Sequence, residues 1–192
     1  MEKQKVCIIG GGLTGLVTAA ALSKLNLKID LVMRDIEKNT KSNRTIAISQ
    51  NNYDFLKNLN IFKSPEKDFW PCFNMKLYTK TKNESSDEIF DINSEQNKKK
   101  RILYMIKNSV MSKQIFNFIK KNKSISLRSD NVVKKITSSG ILKSVYFNNS
   151  EYSKYNLIIV CTGSNSSLVN SLFSERVYER SYNETSITTI LE

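Results

Sequence analysis

The stretch Val6-Cys7-Ile8-Ile9-Gly10-Gly11-Gly12-Leu13-Thr14-Gly15 carries the decisive pattern of this sequence. Its four leading apolar residues read as a buried strand. They run into Gly10, Gly12 and Gly15 at the spacing GxGxxG. In such a turn the first glycine lets the chain leave the strand sharply. The second lets a pyrophosphate approach the backbone, and the third lets helix and strand pack closely. Apolar residues then recur at Leu13, Leu16, Val17, Ala20, Ala21 and Leu25, which is helical spacing, and Ala19 is a further strong helix former. A helix that starts at this point aims free N–H groups and its positive dipole end at the turn, which suits phosphate. Gly10, Gly12, Leu13, Thr14 and Gly15 are therefore candidate residues for binding a dinucleotide.

Beyond a C-cap expected at Asn26, Lys28–Met33 alternates Ile29, Leu31 and Met33 with Asp30, Val32 and Arg34, the pattern of a second strand. The three elements form a βαβ unit of about thirty residues, with parallel strands and a right-handed crossover. A GxGxxG alone is a weak signal, but this one follows a strand, opens a helix and lies within a βαβ unit of suitable length. An acidic residue ending the second strand commonly binds the ribose hydroxyls. In strand phase that position is Met33, whose thioether cannot accept those hydrogen bonds. Asp35 has the same parity and lies 20 residues past Gly15. It is one pleat, roughly 7 Å, further along. Either the strand end bulges so that Asp35 serves, or adenosine binding is weakened. Met33, Arg34 and Asp35 are all candidates here.

Composition supports the weight placed on the turn. The 192 residues include six glycines, four of them between positions 10 and 15, where average usage would supply roughly thirteen. With 40% apolar and 25% charged residues the chain reads as a soluble globular protein. The longest uncharged stretch, Val6 to Ser23, is broken by four glycines and two threonines and reads as strand, turn and helix rather than as a bilayer span. There is no histidine, which excludes a Ser-His or Cys-His nucleophile pair and a His-ligated zinc. The three cysteines, Cys7, Cys72 and Cys161, are scattered, which suits buried thiols in a reducing compartment. Met1-Glu2-Lys3-Gln4-Lys5 leads directly into the first strand, so no cleaved signal is evident and a cytoplasmic protein is expected. The net charge of +12 is concentrated between residues 101 and 150, where ten Lys and Arg face one Asp. That excess has two readings: a lysine-rich composition throughout, or a basic face for an anionic surface or phosphorylated cofactor. Nucleic acid is not expected as a partner, because the segment lacks the interleaved aromatics of a recognised module.

Further along, Thr45–Ser49 is small and apolar, and Asn51–Leu59 reads as a helix. Pro65 and Pro71 bracket a loop carrying Trp70. Phe73–Thr79, Glu88–Ile92 and Ile102–Lys107 read as strands, so residues 70–107 are expected to hold an inserted antiparallel sheet. Asn108 is a good N-cap for a helix over Ser109–Lys121. Strands are then expected at Ser124–Arg128, Val132–Thr137, Leu142–Phe147 and Leu157–Cys161, and Thr185–Leu191 alternates like another. The fold class is α/β: a Rossmann-like parallel sheet with an inserted antiparallel β-sheet, all within one domain of 192 residues.

Four stretches make the chain resemble the FAD-dependent aromatic hydroxylases of the para-hydroxybenzoate hydroxylase type, and in particular their ubiquinone-biosynthesis branch. They are Val6–Gly15 with its helix, Arg44-Thr45-Ile46-Ala47-Ile48-Ser49, Tyr104-Met105-Ile106-Lys107-Asn108, and Leu157–Ser166. The resemblance implies that the first stretch binds the ADP moiety of FAD, that Arg44 lies near the flavin and pyrophosphate, and that Asn108 and Gly163 belong to the cofactor site. It implies NAD(P)H as reductant and hydroxylation of a prenylated phenol or quinone precursor with molecular oxygen. It also implies peripheral association with the inner membrane or with a ubiquinone-biosynthesis complex. The chemistry is the cofactor's, so no residue of this chain is named as catalytic.

The chain departs from that family pattern at three positions. The strand-ending glutamate is Met33, the Asp of an Asp-Gly motif is Thr162 before Gly163, and the acidic residue before Asn108 is Lys107. The second half of the family, with its Gly-Asp-Ala-x-His motif, has no counterpart in the 192 residues. Alternatives are a nucleotide-binding fragment or scaffold without catalysis, and another flavoprotein such as a prenyl-lipid reductase or an amine oxidase-like protein.

Overall fold

The computed structural model describes residues 3–34, 44–80, 86–93, 101–129, 131–163, 166–173 and 180. The protein is mixed α/β, with one four-stranded parallel sheet and separate antiparallel sheets. The parallel sheet contains β1 (Lys5–Ile9), β2 (Lys28–Val32), β8 (Ile125–Arg128) and β12 (Leu157–Val160), in the order β12-β1-β2-β8. Successive side chains of a strand face opposite ways, and both faces of this sheet are covered. Val6, Ile8, Ile29, Leu31 and Met33 enter one core with helices α1 (Leu13–Leu22) and α4 (Asn108–Lys121). Cys7, Ile9 and Val32 enter a second core, against an antiparallel meander. That meander is β9 (Val133–Ser139), β10 (Leu142–Phe147) and β11 (Tyr152–Tyr155). Burial on both sides explains why Val6–Ile9 of β1 is an unbroken apolar run.

The segment between β2 and α4 folds differently from a single inserted sheet. β3 (Thr45–Ile48) and β4 (Trp70–Cys72) both pair antiparallel with β7 (Leu103–Lys107). Helix α2 (Gln50–Asn58) covers them, capped by the Ser49 hydroxyl, which accepts from the Asn52 N–H at 3.3 Å. Tyr53 of α2 stacks on Tyr104 of β7 with ring centroids 4.0 Å apart. β5 (Asn74–Lys80) and β6 (Ser86–Asn93) pair only with each other, so the third expected strand of the excursion belongs elsewhere. The loop expected between the prolines holds a short helix, α3 (Pro65–Asp68), and the strand β4. Pro71 is tolerated there because β4 is an edge strand.

Other boundaries shift. Helix α1 closes at Ser23, not Asn26, because the Ser23 N–H already bonds back to Ala19 O at 3.0 Å. Asn108 is the first residue of α4 rather than its cap; Lys107 holds the cap position and supplies no side-chain bond. The short strand β11 and the helix α5 (Ser167–Phe173) were not anticipated from periodicity. Asp35 and Thr185–Leu191 lie outside the described residues. Among the described residues no helix is long and apolar enough to cross a membrane.

Candidate functional site

At the carboxyl end of β1 the chain turns with Gly10 at φ +125°, a conformation that favours glycine. The Gly10 N–H bonds to Val32 O at 2.8 Å, which fixes the turn to the end of β2. A methyl group on Gly10 would lie 2.5 Å from Cys161 O, and one on Gly15 would collide with Gly10 O. These two glycines let β1, α1 and the end of β12 converge. Gly12 differs: a Cβ there would meet nothing within 4 Å. Its backbone faces open space at the start of α1, where no side chain caps the helix and no acidic residue occupies the first turn. Unpaired N–H groups and the helix dipole give this end a pull on anions.

The open space belongs to a cleft of about 670 Å³. Gly10, Gly11 and Gly12 line it, with Met33 and Arg34 after β2 and Cys161, Thr162 and Gly163 after β12; the approach to β9 and the start of α5 close it. The cleft thus sits outside the carboxyl ends of parallel strands, where ligands of open α/β sheets bind. Thr162 Oγ1 is buried without a hydrogen-bond partner. A buried hydroxyl left unpaired costs about 1–3 kcal/mol and calls for a partner.

The ribose end departs from the usual chemistry. Met33 is only 2% exposed and belongs to the core. A Cβ on Gly11 would lie 2.8 Å from both Met33 Cβ and Cε, so Gly11 makes room for this side chain against the turn. Arg34 is exposed, and no carboxylate lines the cleft among the described residues. Burial pushes the Cys161 thiol above its ordinary value, with a hydrogen bond to Thr18 opposing the shift.

The expected site residues divide. Gly10, Gly12, Met33, Arg34 and Gly163 line the cleft. Leu13, Thr14 and Gly15 form the first turn of α1 behind it. Arg44 and Asn108 do not line the cleft; they meet each other, the Asn108 N–H bonding to Arg44 O at 2.8 Å, and Asn108 Oδ1 accepts from Ser112 Oγ at 3.3 Å. The cleft adds Cys161, Ser166 and Ser167, for which the polar run after the apolar strand was the available signal. It also adds Asn131 and Val132, which carry no motif and arrive only through the packing of the meander.

No family model matches the chain, and no curated protein matches it. Solved structures do share the fold. p-Nitrophenol 4-monooxygenase PnpA from Pseudomonas putida DLL-E4 superposes with a TM-score of 0.69 at 17% identity, over 90% of this chain and 44% of that one. 2-Methyl-3-hydroxypyridine-5-carboxylic acid oxygenase gives 0.65 at 14% identity, over 89% and 42%. The Diels-Alderase PyrE3 of pyrroindomycin biosynthesis gives 0.70 at 17%, over 90% and 35%. The chain therefore has a fold found in monooxygenases and oxygenases, and spans less than half the length of these matched chains. PyrE3 shows that the same fold carries other chemistry.

Proposed function

We propose that this chain is the FAD-binding portion of a flavin-dependent monooxygenase, Rossmann-like in its parallel sheet, that hydroxylates a prenylated phenol in ubiquinone biosynthesis with NAD(P)H as reductant. One observation carries the cofactor reading: the open Gly12 backbone at an uncapped helix start, facing a cleft that contains an unpartnered Thr162 hydroxyl. These residues fit the pyrophosphate of a dinucleotide. Resemblance alone supports the prenylated phenol, the ubiquinone pathway and a peripheral place at the inner membrane.

In this reading the first-turn N–H groups of α1 hold the pyrophosphate, Thr162 Oγ1 donates to a ligand oxygen, and Arg34 adds positive charge at the mouth. The flavin supplies oxygen activation when bound. This chain binds and orients; none of its side chains moves a proton in the chemical step.

A second reading has its own support. Met33, buried at the end of β2, replaces the carboxylate that usually accepts from the ribose at that position. A nucleotide-binding scaffold without oxygenase activity would tolerate that loss. Visible absorption of the purified protein, followed by FAD titration monitored by flavin fluorescence, tests both. Flavin bands or saturable FAD binding support the proposal, and a colourless protein that takes up no added FAD overturns it. Saturable FAD binding without NAD(P)H oxidation in the whole protein favours the scaffold.

A further inference from the structure

The parallel sheet has a second end, opposite the cleft. Residues 3–5 enter β1, 23–28 lead from α1 into β2, 120–124 lead from α4 toward β8, and 154–156 lead into β12. Bonds between these segments hold them together at the amino ends of the strands. The Lys28 N–H bonds to Gln4 O and the Ile29 N–H to Ser124 O, each at 2.9 Å. The Lys5 N–H donates to Asn156 Oδ1 at 2.8 Å. The four segments contain eight lysines and no Asp, Glu or Arg. All eight lysines are exposed except Lys5, which reaches Asp30 at 3.3 Å. No other lysine of the group has a carboxylate partner among the described residues. Glu2, next in sequence to Lys3, lies outside those residues.

Helix chemistry accounts for part of this accumulation. Cations are stabilised at helix carboxyl ends, and Lys24, Lys120 and Lys121 stand at the ends of α1 and α4. Lys3, Lys28, Lys123 and Lys154 stand on the approaches to strands or within them, where the net dipole is small. Like charges gathered without acidic neighbours repel one another, and an external anionic surface relieves that repulsion. Among them, at the tip of the α1–β2 connection, Leu25 stands 57% exposed between Lys24 and Lys28.

We propose that this amino-end face docks on an anionic lipid bilayer, with its lysines at the phosphate layer and Leu25 entering the headgroup region. Three observations select a bilayer. Protein interfaces are depleted in Lys and enriched in Arg and aromatic residues, whereas every cation of these segments is a lysine. Single-stranded nucleic acid stacks its bases on bare rings, but here ammonium groups cover the rings. Lys24 Nζ lies 5.7 Å from the Phe118 ring centroid, and Lys120 Nζ lies 4.6 Å from that of Phe116. An exposed leucine set among lysines is the combination that membrane-surface elements use, and polybasic segments are drawn to anionic leaflets. The inference rests on the peripheral membrane place proposed above and assigns it a face of the molecule. It needs no cofactor, because the cleft lies at the far ends of the same strands.

The test sediments the full chain with vesicles of about 40% phosphatidylglycerol in phosphatidylcholine and, separately, with vesicles of phosphatidylcholine alone. The protein should sediment with the anionic vesicles only. Raising NaCl from about 0.1 M to about 0.5 M should lower the bound-to-free ratio at least about tenfold. Lys28→Gln, Lys123→Gln and Lys154→Gln combined should lower that ratio at least about tenfold at the lower salt. The thermal midpoint should not change, because these side chains are exposed and without carboxylate partners among the described residues. Leu25→Ser should lower the ratio about threefold or more. Lys57→Gln, Lys63→Gln and Lys67→Gln combined remove the same charge from exposed positions around α2 and α3, and should change it less than about twofold. Equal loss from the two triple variants, or unchanged binding by Leu25→Ser, overturns this face and leaves the peripheral place standing. Absence of vesicle binding overturns both. Tighter binding to mixed-sequence duplex DNA or RNA than to the anionic vesicles, lost in the amino-end variant, overturns the choice of lipid. FAD titration of the same variants should be unchanged and reads the cofactor separately, so either conclusion can fail without the other.

Discussion

The Tyr155 hydroxyl donates a hydrogen bond to Asp30 Oδ2 at 2.7 Å, joining residues 125 positions apart in the chain. Tyr155 ends the meander and Asp30 lies mid-strand in β2, so this bond ties the second core together. Arg128 Nε reaches the same oxygen at 3.0 Å and Lys5 Nζ at 3.3 Å. Asp30 is 5% exposed, a buried carboxylate whose Oδ2 faces two cations and a hydroxyl. Tyr155→Phe should lower stability by about 1–2 kcal/mol, the usual loss when a buried charged acceptor gives up one donor. Asp30→Ala should lower it by about 3 kcal/mol, because it strands the Arg128 charge and the Tyr155 hydroxyl. Urea unfolding followed by circular dichroism measures both, and equal midpoints for the two variants would contradict this account.

Alkaline pH should loosen the same core. Burial, reinforced by Asp30, pushes the Cys7 thiol from 9.0 up to about 12. Burial and its bond to Asp30 also raise Tyr155 above its ordinary value of 10.0. A raised folded value means that the native state holds its proton where the unfolded chain has released it. The stabilisation is complete below pH 9 and declines as pH rises toward 12, by about 1.4 kcal/mol per pH unit for one such group. Tyr155 adds to the decline above pH 10. Unfolding midpoints measured from pH 8 to 11 should fall, and Cys7→Ala should remove about one proton from the slope.

Substitutions at the glycine turn should separate folding from binding. Gly15→Ala drives a methyl group into the Gly10 carbonyl, and Gly10→Ala is strained by both its φ and Cys161; each should lower the thermal midpoint by several degrees. Gly12→Ala meets nothing in the protein, so the midpoint should stay put while FAD affinity drops at least tenfold. Differential scanning fluorimetry with and without FAD checks all three. A Gly12→Ala protein that binds FAD normally would remove the pyrophosphate from this position.

Two cleft side chains should respond in opposite ways. Thr162→Val is nearly isosteric and removes a hydroxyl with no partner in the protein, so stability should hold or rise slightly while FAD binding weakens several-fold. Met33→Glu restores a ribose acceptor but buries a carboxylate, so stability should fall while FAD binding tightens by about tenfold. Fluorescence titration and urea unfolding of each variant provide the paired readings.

Cys161 offers a chemical reporter of occupancy. It lines the cleft with its thiol shifted upward by burial, so alkylation should be slow near neutral pH. Saturating FAD should slow it further and leave Cys72, which is outside the cleft lining, unchanged. Peptide-level mass spectrometry after timed iodoacetamide treatment would show the difference.

The sequence by itself determined the βαβ unit and its turn, because those features are written in local terms. Period two in Lys28–Val32, helical spacing after Leu13 and glycines at fixed intervals each act over a few residues. Tertiary structure decided what depends on distant pairing. It set β12 beside β1, sent β7 to β3 and β4 instead of to the hairpin, and brought Asn131 and Val132 to the cleft. It also held Arg44 and Asn108 together outside the cleft lining, and turned Asp30, one polar residue in an alternating strand, into the anchor of a core. The physical reason is the same in each case: backbone propensity and glycine stereochemistry act along the chain, whereas strand partners and buried charges are chosen by elements that meet only after folding.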